Sequence, residues 1–176
     1  MFSQLLAFFR NLPPTPKVLA GRYFVLDGTN ITLIHGPKYP QIRYVLAIGD
    51  YLLANGGTFE CFFDANTRYI IQDHSPEQLA VFEKLTREEP WTERFHVVPS
   101  GTEADQWILA QAKRDGADVI SNDQFRDRAK ENRWIWKRRH SMYIDDRCMR
   151  LASLGAKFEV LASAESYLQR SSLSNG

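Results

Sequence analysis

The sequence predicts an α/β domain with a central, mainly parallel sheet flanked by helices, and three features carry that prediction. From residue 22 to residue 122, short apolar runs alternate with amphipathic stretches, the pattern of strand–helix–strand units. Turn formers such as Asn55-Gly56-Gly57 and Asp115-Gly116 separate them. Three strand-like runs each deliver an acid at the carboxyl end: Asp27 after residues 22–26, Asp64 after residues 59–63, and Asp123 just beyond Val119 and Ile120. In open α/β sheets ligands sit in the crevice beyond those ends. Acids placed there point to a bound cation, because close carboxylates repel unless a cation or a shared proton lies between them.

The chain opens with an apolar stretch, Phe2, Leu5, Leu6, Phe8 and Phe9, that lacks a basic n-region and a small-residue cleavage site. It reads as an arm docking on the domain or on a second copy, with attachment to a membrane surface as the other reading. A proline-rich linker follows. Residues 1–20 are therefore expected to be arm and linker, residues 21–165 the domain, and residues 166–176 a disordered tail. After the first strand, Gly28 suits a tight turn, and the Asn30 amide can orient Asp27 or a bound water. Residues up to Pro40 read as a loop. His35 within it has no second His or Cys at ligand spacing. Ile42, Val45, Leu46, Leu52 and Leu53 follow helical spacing over residues 41–55. Arg43, near the start of that helix, is either a solvated side chain or a functional cation.

Residues 58–63 form the second strand, and Ser75-Pro76-Glu77 opens a helix with proline in its first turn. A short third strand, residues 95–98, ends at Pro99. The next helix begins at Thr102-Glu103-Ala104-Asp105, and Asp105 shares the stripe of Ile108, Leu109 and Ala112. A Thr102–Asp105 capping pair is the structural alternative. Residues 117–121 form the fourth strand. If residues 123–127 start a helix, Asp123 and Asp127 lie on one face, one turn apart. The competing reading is a capping Asp beside a solvated Arg126–Asp127 pair. Residues 130–140 mix Trp134 and Trp136 with Arg133, Lys137, Arg138 and Arg139, which suits stacked bases and phosphates, or else two core tryptophans on a basic helix. Residues 141–144 and 148–151 are expected to pair as an edge hairpin across Asp145-Asp146.

A chain of 176 residues fits one domain with a sizeable core. Its net charge of +1 implies no bulk electrostatic partner, but basic residues outnumber acids between Arg126 and Arg150, which can suit an anionic polymer. Cys61 and Cys148 make neither a disulfide framework nor a zinc spacing, so a reducing, cytoplasmic setting is expected. No apolar run has the roughly 18 residues of a membrane span.

The stretches VLDGTN (25–30), EADQWIL (103–109), DVISNDQFRD (118–127) and WKRRHSMYI (136–144), with the Arg43 helix, resemble the PIN-like NYN ribonucleases, closest to the Regnase-type branch. The resemblance covers roughly residues 22–145 and implies a PIN-like three-layer fold and a Mg²⁺- or Mn²⁺-dependent endonuclease acting on single-stranded RNA. It places the family's metal-binding acids on Asp27, Asp105, Asp123 and Asp127 and its RNA-contacting arginine on Arg43. It also departs from the branch, which often carries a further acid where this chain has Ala104. The residue types fit the chemistry independently, since hard divalent cations take carboxylate oxygens and activate water. Asp27, Asp105 and Asp123 are expected as ligands, Asp127 as support for the site or the attacking water, and Asn30 as the group that holds Asp27. Arg126, Arg138 and Arg139 join Arg43 as the expected RNA-binding set, and a homo-oligomer is possible. Two rivals remain. A haloacid-dehalogenase-like phosphatase needs an Asp where this chain has Val25, and a non-catalytic RNA-binding or assembly module would not need all four carboxylates.

Overall fold

In the computed structural model, which describes residues 17–128 and 130–169, the apolar runs form a five-stranded parallel sheet. Its strands are β1 (Tyr23–Asp27), β2 (Thr58–Phe63), β3 (Phe95–Val97), β4 (Asp118–Ile120) and β5 (Arg139–His140), in the order β3-β2-β1-β4-β5. The central β1 is buried on both faces. Phe24 and Leu26 enter the larger core while Val25 enters the smaller one, the alternation that a strand's period of two imposes. A strand covered on both sides reads as one continuous apolar run, which is why residues 22–26 are legible. At the amino end Arg22 pairs with Asp118 at 2.6 Å, tying β1 to β4.

Helices cover both faces. The helix α1 (Gly28–Thr32) follows β1 without a break, and α2 (Ile42–Ala54) packs its many buried side chains into the larger core. Gly49 of α2 lies so close to the sheet that a Cβ there would stand 2.6 Å from the Phe59 ring. The helices α3 (Thr67–His74) and α4 (Leu79–Arg87) complete that side, with Ile71, Phe82 and Leu85 buried. On the other face α5 (Ala104–Asp115) presents Ile108, Leu109 and Ala112 to Val25, Phe62 and Val119. It ends on Gly116, whose φ of 63° is left-handed and favours glycine.

The short α6 (Ile135–Arg138) leads into β5. The expected hairpin forms, Asp145 opposite Cys148, but it belongs to a separate antiparallel sheet of β6 (Tyr143–Asp145), β7 (Cys148–Leu151) and β8 (Ala156–Glu159). Met149 and Leu151 from this sheet, and Tyr167 from α7 (Glu165–Leu168), join the larger core, as does Leu19 upstream of β1. The apolar stretch at residues 1–10 and the end of the expected tail lie outside the described residues. Among the described residues no helix is long and apolar enough to cross a membrane.

Three local expectations change. Residues 28–32 are helical rather than loop, because the Asp27 carboxylate accepts the Asn30 N–H at 3.0 Å and Ile31 and Thr32 are buried. Gly28 is required for space and not for a turn, since a Cβ would meet Phe63 at 2.6 Å and the Cys61 sulfur at 2.7 Å. Residues 123–127 do not form the expected helix. Asp123 accepts the N–H of Phe125 at 2.7 Å, a local turn that competes with helix, and Phe125 takes φ 49° with its ring buried. A single 3₁₀ turn, Arg126–Arg128, follows. Asp123 and Asp127 therefore do not share a helix face.

Candidate active site

The carboxyl ends of β1, β2 and β4 converge with the start of α5, and each brings an acid. Asp27 is the last residue of β1 and is only 5% exposed. One of its oxygens accepts the Ser121 hydroxyl at 2.6 Å, the other the Asn30 N–H at 3.0 Å. Burial pushes the Asp27 carboxyl up to about 7; those two donors hold it down, and the charges of Asp105 and Asp64 raise it further. Asp105, half-buried in the first turn of α5, is pushed up to about 6 by burial and next by the charge of Asp123, with Arg128 opposing and Asp64 and Glu103 adding. Asp27, Asp64, Asp105 and Asp123 thus act on one another as a single acidic group.

Backbone donors and hydroxyls set the positions. Asp64 accepts the Ala104 N–H at 2.9 Å and so caps α5 from another strand, placing Asp105 beside it. Thr102 does not take that role, because its hydroxyl donates to the Pro99 carbonyl at 2.6 Å. The Asp64 N–H donates to the Thr29 hydroxyl at 2.8 Å, tying β2 to α1. Ser121, fully buried, both donates to Asp27 and accepts the Asp123 N–H at 2.9 Å, so one hydroxyl spaces two acids. The side chain of Asn30 does not hold Asp27; its backbone N–H does, while its carbonyl oxygen accepts the Asn122 N–H at 2.9 Å. Asn122 in turn accepts the Met142 N–H at 2.9 Å. The loop after β4 is anchored on both sides.

The other expected site residues are dispersed. Asp127 lines a cavity beside α5. Arg43 donates to the Ala162 carbonyl at 2.9 Å and lies over the Tyr44 ring at 5.3 Å. Arg126 is exposed and bonded to Gln124 at 2.7 Å. Arg138 donates to the Gly116 carbonyl, which precedes β4, so it lies at the amino edge of the sheet and away from the acids. Arg139 reaches the Ser121 carbonyl at 2.9 Å and braces the loop. Trp134 packs on the smaller core while Trp136 is 61% exposed.

Asp64 and Ser121 complete what the sequence-derived residue set omits. The strand-end position of Asp64 is a sequence signal; the Ser121 hydroxyl gives none, because its value depends on two partners that the fold brings together. The group is a set of hard oxygen donors, the type that holds a hydrated divalent ion. Among the described residues no three Asp, Glu, His or Cys side chains stand around one point as a ready-made cage. The donor set and the mutual charge effects therefore suit an ion held by one or two carboxylates and its own waters, and not a closed all-protein site.

A parallel five-stranded sheet with acids gathered at its carboxyl edge defines a PIN-like α/β domain. The chain belongs to the Zc3h12a-like Ribonuclease NYN domain family, whose profile matches residues 21–154. It is thus a domain of a ribonuclease family. No curated protein matches it. Among solved structures, the crystal structure of nuclear proteinaceous RNase P 2 (PRORP2) from A. thaliana is similar in fold, with TM-score 0.57 and 13% identity, covering 85% of this chain and 32% of that one. A second structure, Arabidopsis thaliana nuclear protein-only RNase P 2, has TM-score 0.53 and 14% identity, covering 82% and 31%. The chain thus spans about a third of those proteins.

Proposed function

We propose that this domain is a divalent-metal-dependent endoribonuclease that cuts single-stranded RNA, with Mg²⁺ or Mn²⁺ as the ion. The observation that carries the proposal is the gathering of Asp27, Asp64, Asp105 and Asp123, with Asp27 and Asp105 pushed up toward neutrality. Carboxylates held in that state gain from a cation, which removes the repulsion. A divalent ion bound there supplies a water of lowered pKa and offsets charge on the leaving oxygen.

The residues have distinct tasks. Asp27, fixed by Ser121 and Asn30, and Asp105, fixed by the start of α5, are the principal holders of the ion. Asp123 keeps one oxygen on the Phe125 N–H and offers the other to the site. Asp64 keeps Oδ1 on the Ala104 N–H and adds negative charge. Asp127 and the cations Arg43 and Arg126 are proposed as contacts to the RNA strand outside the reacting centre.

The test is cleavage of an unstructured RNA with Mg²⁺, with Mn²⁺ and with chelator, for the parent and Asp123→Asn. An asparagine keeps an oxygen for the Phe125 N–H, so the fold should persist while activity falls by about two orders of magnitude or more. Cleavage at the parent rate by that variant overturns the site assignment. RNA binding with no cleavage under any ion would mark a binding module instead.

A further inference from the structure

One cavity adjoins the acids without belonging to them. It measures about 550 Å³ and lies along the face of α5 that carries Gln106, Leu109 and Lys113, with Asp127, Lys130 and Glu131 across from them. Gln106 to Lys113 spans seven residues, about 10 Å of helix. The near end touches the acidic group, since Gln106 follows Asp105, and Arg128, whose charge acts on Asp105, also lines the cavity.

The charges there are uncommitted. Arg128 is paired with Glu103, but among the described residues Lys113, Lys130, Asp127 and Glu131 have no ion-pair partner. All four are exposed. The Gln106 amide likewise has no side-chain hydrogen bond among the described residues. Beneath them Leu109 and Ala110 provide an apolar floor.

Mixed sign decides the ligand class. A plain anion would meet Asp127 and Glu131, and a plain cation would meet two lysines. A nucleotide suits both: its phosphate takes the ammonium groups, its base lies on the apolar floor, and its hydroxyls donate to carboxylates that can only accept. The 2′-hydroxyl is the donor that RNA has and DNA lacks.

We infer that this cavity holds a ribonucleotide of the substrate strand next to the bond that is cut, and that its carboxylates help distinguish RNA from DNA. The inference rests on the ribonuclease reading above. It assigns Lys113, Lys130 and Glu131 a role in binding and none in the chemical step.

The experiment is fluorescence anisotropy of a labelled single-stranded oligoribonucleotide and its DNA equivalent, in EDTA across a salt series, beside a cleavage assay with Mg²⁺ or Mn²⁺. Lys113→Ala with Lys130→Ala should lower the slope of log K against log salt by about 2, one per lost phosphate contact. The control, Lys38→Ala with Lys157→Ala, removes the same charge from exposed positions elsewhere and should leave the slope unchanged. Glu131→Gln should reduce the preference for RNA over DNA by about tenfold. A parent that cuts RNA while the double variant keeps its full slope, or while the control loses as much, overturns the subsite alone. So does an RNA preference untouched by Glu131→Gln. A parent that neither binds nor cuts RNA overturns the ribonuclease reading and the subsite together.

Discussion

At Asp27 the chain places a carboxyl where water scarcely reaches and then gives it two donors, Ser121 and Asn30, and two acidic neighbours. Burial dominates, so the group rises to about 7 despite both hydrogen bonds. Asp105 rises to about 6 for the same reason, with Asp123 adding to it, and it is the cleaner probe because no hydrogen bond to its side chain is lost on substitution. A folded pKa above the unfolded one, near 3.9, means the native state holds more protons, so stability falls as pH rises from about 4 to about 6. Above that window the ionised Asp105 destabilises the metal-free fold. Asp105→Asn should therefore unfold later than the parent in EDTA at pH 7.5, by about 1 kcal/mol after solvent screening. The two should converge near pH 4. Urea unfolding at both pH values checks this, and a variant less stable than the parent at pH 7.5 would show that Asp105 holds the fold rather than strains it.

Elements are placed by close contacts as much as by their own propensities. The helix α2 looks, by propensity, as though Gly49→Ala would gain about 1 kcal/mol. The structure reverses the sign, because the added methyl would stand 2.6 Å from a ring of Phe59 that is itself buried. Overpacking of that kind costs about 1–3 kcal/mol, so the urea midpoint should fall with the slope unchanged. The same close approach governs α1, where Gly28 lies against Phe63 and Cys61. The loop after β4 shows a complementary device. Asp123 turns the chain back on itself through the Phe125 N–H, and the buried Phe125 ring holds that turn against the smaller core. A helix there would have lined up Asp123 with Asp127, and this turn separates them.

For the whole molecule, stability and ion binding are linked. The two cores meet across β1, and the acids stand at the edge where both end, so neutralising them stabilises everything packed below. Mn²⁺ at a hundredfold excess over Kd should stabilise the parent by about 2.7 kcal/mol. Asp27→Asn should show a smaller gain, since it lacks a charge at the centre of the group. Thermal melting with EDTA and with Mn²⁺ measures both. Equal shifts in the two proteins would place the ion elsewhere.

The sequence by itself determined the alternation of strands and helices, the order of the parallel elements and the strand-end acids. These are local in origin: a buried strand must be apolar, a helix facing a sheet must carry a stripe, and a strand end at a ligand crevice shows as a polar break. Asp27, Asp64 and Asp123 are legible for that reason, and the VLDGTN and SNDQFRD stretches carry the family. The tertiary structure alone decided which acids act together and what holds them. Asp64 joins the group because it caps a helix forty residues away, Ser121 because its hydroxyl reaches β1, and Arg138 leaves it because its partner, Gly116, lies at the opposite edge of the sheet. The helix α1 depends likewise on Asp27 and on a niche between Phe63 and Cys61. Each of these is a contact between residues distant in the chain, and the energy of such a contact is written in no single stretch of it.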